Sequence, residues 1–213
     1  IGVMKKLLFI LSVLIAFSSY SQINQSKDGK REGLWKTYHE NGQLKFEVNF
    51  KNNKREGLSK EYFENGQLEF EINWKDDKAN GLFKTYYANG SLYILGNHKE
   101  NKREGLWKTY GPILDTNVKG SIAKNYLWMV LNWKDGKKEG LQKHYYENGQ
   151  LLKEGNFKGE KQEGFWKYYH ENGQLKMEGN FKGAKQEGFW KYYHENGQLK
   201  FEANFKDGEP IQE

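Results

Sequence analysis

The segment EGFWKYYHENGQLK stands at residues 163–176 and again, letter for letter, at 187–200. A period of 24 residues constrains the fold more than any other feature, because a unit this short cannot bury its own apolar side chains and must stack on its copies. Aligned on the glycine that follows Glu or Asn and precedes Leu or Phe, the unit recurs at Gly33, Gly57, Gly81, Gly105, Gly140, Gly164 and Gly188. The step is 24 residues throughout, except for one of 35 between Gly105 and Gly140. Seven units therefore fill the chain, and the fourth, 105–139, is irregular and carries the extra residues. Six of them contain an Asn-Gly pair, from Asn41-Gly42 to Asn196-Gly197.

Asn-Gly between alternating segments predicts a β-hairpin with a type I′ turn, in which both central residues take positive φ. Each unit then reads as strand, Asn-Gly turn, strand, and a second turn such as KNNKRE or KGEKQE. A two-residue turn places Trp35 opposite Val48, Lys36 opposite Glu47, Thr37 opposite Phe46 and His39 opposite Leu44. The same arithmetic pairs Lys60 with Glu71, Lys143 with Glu154, Lys167 with Glu178 and Lys191 with Glu202, each pair contributing ~0.2–1 kcal/mol. Lys84 faces Leu95, which interrupts the ladder. Alternation puts Trp35, Thr37, His39, Leu44, Phe46, Val48 and Phe50 on one face, and the Lys–Glu ladder, Leu34 and Tyr38 on the other. The expected fold is all-β: an elongated single antiparallel sheet of about seven tandem β-hairpins, on the order of 70 Å long at ~4.8 Å per strand.

Composition agrees with a thin structure. Only 36% of residues are hydrophobic, which argues against one thick core, yet 16% are aromatic, which argues against disorder. The absence of cysteine excludes disulfides, thiolate metal sites and a lipoprotein anchor. At the N-terminus, Lys5 and Lys6 precede the apolar run LLFILSVLIAF (7–17) and the small-residue stretch SSYSQ (18–22). This is the pattern of a secretory signal over residues 1–21, with cleavage expected before Gln22 and a mature chain of 22–213. Residues 1–3 precede Met4, the first candidate initiator. Export would place the mature protein in the periplasm, on the envelope or outside the cell. Its remaining charge of +4, from +6 for the whole chain, is too small for a nucleic-acid partner.

The pattern EG(L/F)WKxYxENGQLKxExNFK resembles the MORN-repeat variant family over residues ~29–208, nearly all of the expected mature chain. The resemblance implies antiparallel hairpins in an elongated sheet, no intrinsic catalysis and no cofactor. Similar bacterial proteins are often labelled antitoxins of toxin–antitoxin pairs, and MORN repeats elsewhere are connected with protein assembly and membrane-lipid contact. Export fits poorly with neutralising a cytoplasmic toxin.

No phosphate loop, H-E-x-x-H or G-x-S-x-G motif occurs, so no catalytic, cofactor or metal site is expected. His39, His170 and His194 share one repeat position, and on neighbouring units they would stand ~10 Å apart, too far to share a zinc ion. The aromatics leave two readings open. Trp35, Trp107, Trp166 and Trp190, with Tyr168 and Tyr192 nearby, either pack the sheet against itself or a second copy, or line a groove for a partner. In the fourth unit, Tyr126, Trp128 and Met129 either cap the sheet or present an apolar tip. The expected function is an exported, non-enzymatic protein-interaction scaffold. The alternatives are binding of envelope glycan or anionic lipid through the aromatic face, and antitoxin-like neutralisation of a partner protein.

Overall fold

Each repeat folds into an antiparallel pair of strands, the first of which is broken in two at Lys54–Arg55 and Gly57–Tyr62 and again at Lys137–Lys138 and Gly140–Tyr145. The computed structural model describes residues 23–112 and 125–211. Its first hairpin joins Lys30–Tyr38 to Leu44–Lys51, and its last joins Lys185–Tyr193 to Leu199–Lys206. Short strands Gln25–Lys27 and Glu209–Pro210 flank the array. The 18 strands make one sheet, and no helix occurs among the described residues.

The register follows the arithmetic through most of each hairpin. Trp35 lies opposite Val48, Lys36 opposite Glu47 and Thr37 opposite Phe46. The other four Lys–Glu pairs are also directly opposed, and Lys84 does face Leu95. The pairing then slips. Tyr38, not His39, lies opposite Leu44, and Lys45 is left over as a bulge residue.

That slip corrects the turn assignment. The eight tight turns with two consecutive positive-φ residues lie between hairpins, as at Asn52 (50°) and Asn53 (67°) or Asp76 (50°) and Asp77 (68°). At the Asn-Gly turns only the glycine is left-handed, for example Gly42 at 83°. The Gly42 N–H donates to the His39 carbonyl and the His39 N–H to the Gln43 carbonyl, a longer loop built on an ordinary turn followed by a left-handed glycine. Asn41 is selected for its side chain instead. Its Oδ1 accepts the Gln43 N–H at 2.9 Å, and its Nδ2 donates to the Glu64 carbonyl of the next repeat at 2.8 Å. The alignment glycines have their own reason: Gly33 and its equivalents take positive φ, and at most junctions the inter-repeat pairing slips beside them. The glutamate before the glycine accepts a backbone N–H of the following tight turn, as Glu32 does from Asn52 at 2.8 Å.

The core lies on the tryptophan face. Trp190 is 0% exposed and Trp166 1%, although the sheet is a single layer. Trp107, Trp166 and Trp190 each rest on a glycine of the preceding repeat, Gly96, Gly155 and Gly179. A Cβ built on Gly155 would come within 2.2 Å of the Trp166 ring, and one on Gly179 within 2.3 Å of Trp190. Where the large residue is absent, the small one is too: Val48 precedes Ser59 and Leu131 precedes Gln142, all four buried. Trp107, Trp166 and Trp190 donate their indole N–H to the carbonyls of Asn97, Asn156 and Asn180 at 3.1–3.2 Å. Gln142 keeps that bond, with Nε2 3.1 Å from the Asn132 carbonyl. Phe181 meets Trp190 edge-on at 4.9 Å, and the Arg31 guanidinium covers Phe50 at 3.9 Å, closing the face from above.

We expect Gly179→Ala to lower the urea midpoint, because the added methyl overlaps the indole, at a cost of about 1–3 kcal/mol. Gly179→Val with Trp190→Ser, the combination present at Val48 and Ser59, should recover much of that loss. Chemical denaturation of the three chains checks it, and additive losses in the double variant would refute the size-matching.

Candidate interaction surface

The two faces of the sheet have separate chemistry. The tryptophan face takes up most of the candidate aromatics. Trp107, Trp166 and Trp190 are buried, and Trp35, Tyr168 and Tyr192 are half-buried, with Tyr192 stacked on Phe201 at 4.4 Å. Three of the four indoles are therefore closed to a flat ligand, and their row serves as core. In the fourth repeat, Lys102–Gly111 pairs with Tyr126–Lys134. Tyr126 and Met129 are half-buried there, while Trp128 is the bulge residue and 43% exposed. Residues 113–124, between these two strands, and 1–22, which include the expected signal at 1–21, lie outside the described residues.

The histidines act as ties between repeats. His39 Nε2 lies 2.7 Å from the Tyr62 carbonyl, and His170 Nε2 lies 3.1 Å from that of Tyr193. Tyr87 and Tyr146, at the same repeat position, donate their hydroxyls to the carbonyls of Tyr110 and Tyr169, both at 2.8 Å. No metal-type cluster of His, Asp and Glu occurs among the described residues. His144 is different. Burial, with Lys153 and Lys138 nearby, pushes its pKa down to about 4.

On the outer face the Lys–Glu ladder continues across repeat boundaries. Glu47 stands opposite Lys36 in its own hairpin and opposite Lys60 in the next, at 3.3 and 3.8 Å. Tyr62 of the next repeat adds its hydroxyl at 3.0 Å. The same tie recurs from Tyr86 to Glu71, Tyr169 to Glu154 and Tyr193 to Glu178, at 2.9–3.2 Å. Burial first, and then the adjoining glutamates, raise Tyr62 and Tyr169 to about 12. The recurring tyrosine is thus a cross-repeat tie in four units, at Tyr62, Tyr86, Tyr169 and Tyr193, a role the sequence signals only by its regularity.

Alternation places Leu34 and its equivalents on this face, but sequence reasoning gave that row no role. The residue after each alignment glycine is Leu or Phe, and from Leu58 through Leu82, Leu106, Leu141 and Phe165 to Phe189 it is exposed, Phe189 by 61%. Beside that row the ladder has a gap. Leu95 and Val130 occupy two successive positions where five repeats have glutamate. Lys108 lies opposite both of them, the one ladder lysine with no glutamate across from it on either side.

With this geometry in hand, the family is decided by six matches to the MORN repeat variant, at residues 31–52, 55–76, 79–100, 138–158, 162–182 and 186–207. The chain belongs to the MORN repeat variant family. The two strands of the unmatched fourth unit nonetheless pair in the same register, with Leu131 opposite Trp107 and Asn132 opposite Leu106. A search of curated proteins finds no match. MORN repeats are commonly protein or lipid interaction modules, and an extended exposed face of this kind fits that description.

Two predictions follow from the ties. Tyr169→Phe should cost about 1 kcal/mol by removing one hydrogen bond to a carboxylate. The folded-state pKa of Tyr62 and Tyr169 is raised from 10.0 to about 12, so their contribution is complete below pH 10 and is lost as the pH climbs to 12. Thermal melts across that range check the sign, and an unchanged Tm up to pH 12 would contradict it. His144 has the opposite sense: its depressed pKa gives stability that is present above pH 6.5 and lost as the pH falls toward 4. His144→Thr, the residue at the equivalent positions 37 and 109, should flatten the acid limb of the denaturation profile.

Proposed function

We propose that this chain is an exported, non-enzymatic scaffold that holds a protein partner along the outer face of its sheet. The observation that carries the reading is the exposed Leu/Phe row, which repeats at one position from Leu58 to Phe189. Scattered surface leucines need no explanation, but one exposed apolar residue at the same position of six successive repeats, alternating with the asparagines opposite them, makes a periodic line that suits an interface. The row runs beside charged pairs, so apolar contact and orienting charge lie together, as in the core and rim of a protein interface. The exposed Trp128 in the central repeat supplies a side chain of the kind that dominates such interfaces. Nothing in the motif pattern suggests a reaction, and burial of Trp107, Trp166 and Trp190 weakens the case for a sugar-stacking platform on the opposite face. The leader sequence supports an envelope or extracellular partner.

The test is affinity capture with residues 22–213 from envelope extracts of the host, half of each extract being treated with protease first. A polypeptide retained only from untreated extract is expected, and Leu106→Glu with Trp128→Ala should weaken its retention at least about tenfold. Both side chains are exposed, so the variant should melt like the parent. Retention of glycan or lipid from both halves would overturn the reading.

A further inference from the structure

Each glutamate of the ladder sits in a small socket of donors. Glu71 receives Lys84 at 2.7 Å and Tyr86 at 3.2 Å, and Glu154 receives Lys143 at 3.1 Å and Tyr169 at 3.1 Å. The socket is a joint product of neighbouring repeats: the tyrosine always comes from the next repeat, while the lysine comes from the same strand as the tyrosine at Glu71 (Lys84, Tyr86) and from the glutamate's own hairpin at Glu154 (Lys143). At Leu95 and Val130 the donors remain, but the carboxylates have been replaced by aliphatic side chains. Tyr110 stands where Tyr86 would meet a glutamate, and Tyr145 does the same beside Val130. Among the described residues neither hydroxyl has a hydrogen-bond partner, and Lys108 has no ion pair. Lys84 and Lys143, on either side, are already engaged with Glu71 and Glu154. Among the described residues the gap thus holds one ammonium without an ion pair and two phenols in an aliphatic surround, with exposed Leu82, Leu106 and Leu141 along its border.

We infer that this gap receives an acidic side chain from the partner, a Glu or Asp flanked by apolar residues in a protein segment laid across repeats three to five. This deepens the scaffold reading and rests on it. The carboxylate takes the place that the chain fills with its own glutamate elsewhere. It accepts from Lys108 and Tyr110, while the flanking apolar side chains cover Leu95, Val130 and Leu106. A charge pair bordered by apolar contacts orients the segment more than it adds affinity, so the gap sets where along the sheet the partner docks. An isolated anion lacks the apolar flanks and leaves the leucines uncovered, so a polypeptide fits the whole patch better than a free carboxylate.

The test uses a random linear-peptide display library panned on residues 22–213, with selected peptides resynthesised and their affinities measured. The discriminating variant is Leu95→Glu with Val130→Glu, which installs the residues that five repeats already carry and completes the ladder around Lys108. It should fold at least as well as the parent, and Lys108→Gln provides a second variant that adds no charge. Selected peptides should carry an acidic residue between apolar ones. They should bind the double variant and Lys108→Gln at least about tenfold more weakly, and lose comparable affinity when their own Glu becomes Gln. Binding should also weaken with added salt. Peptides without an acid, equal binding to the double variant, or a library that yields no binder would each overturn the assignment. Acid-free peptides that still depend on Leu106 and Trp128 would do so while leaving the scaffold reading standing. No binder together with no captured partner would remove both.

Discussion

The contact on which this architecture depends is an indole lying flat on a glycine of the preceding repeat. A one-layer sheet has no second sheet or helix to cover its apolar side, so each large side chain must be covered by its neighbours along the array. Gly155 and Gly179 let the rings of Trp166 and Trp190 sink against the backbone, where Phe157, Phe181 and Phe205 close around them. That seating brings each ring N–H to a carbonyl of the previous repeat, so one residue settles both packing and polar satisfaction. Val48 with Ser59 and Leu131 with Gln142 exchange which partner is the bulky apolar one.

With one face committed to holding the array together, the other keeps its Leu/Phe row in solvent. The outer face also carries structural ties, in the Tyr–Glu–Lys sockets, but these are polar and leave the Leu/Phe row in solvent. The packed face and the proposed binding face thereby lie on opposite sides of the same strands. This explains how repeats three and four can give up their glutamates without losing their hairpins. Trp107 and Leu131, on the buried side of those repeats, are unaffected by what replaces the charges outside.

Much of this was legible in the sequence because a strand's side-chain period is two and the unit's period is 24. Those two numbers alone placed Lys36 opposite Glu47, Trp35 opposite Val48 and the tryptophans on one face. The turns were misassigned for an instructive reason. Asn-Gly usually signals two left-handed residues, but Asn41 spends its side chain on the next repeat, which a reading of one hairpin cannot include. The true two-residue turns fall on pairs as different as Asn52-Asn53 and Gly183-Ala184, whose common conformation no shared residue advertises. The vacancy at Lys108 was half visible. Within its own hairpin it faces Val130, but its isolation appears only when Leu95 of the preceding repeat is placed beside it. The Leu/Phe row was in plain view as the residue after each glycine. Its exposure depends on which face the tryptophans bury.

The junction between repeats is nearly the same wherever it occurs, and this has a consequence for how such a chain changes over time. Asn148 reaches the Glu171 carbonyl, and Asn172 reaches that of Glu195, each 23 residues on and each at 2.8–2.9 Å. A cut at any of these seams and removal of one unit would bring together two surfaces that already fit. The sheet is therefore a ruler whose length can be altered one graduation at a time, by recombination between near-identical stretches such as 163–176 and 187–200. The Lys108 gap is the mark on that ruler that is not copied. Units gained or lost on either side would change its distance from the ends while leaving its own surroundings intact.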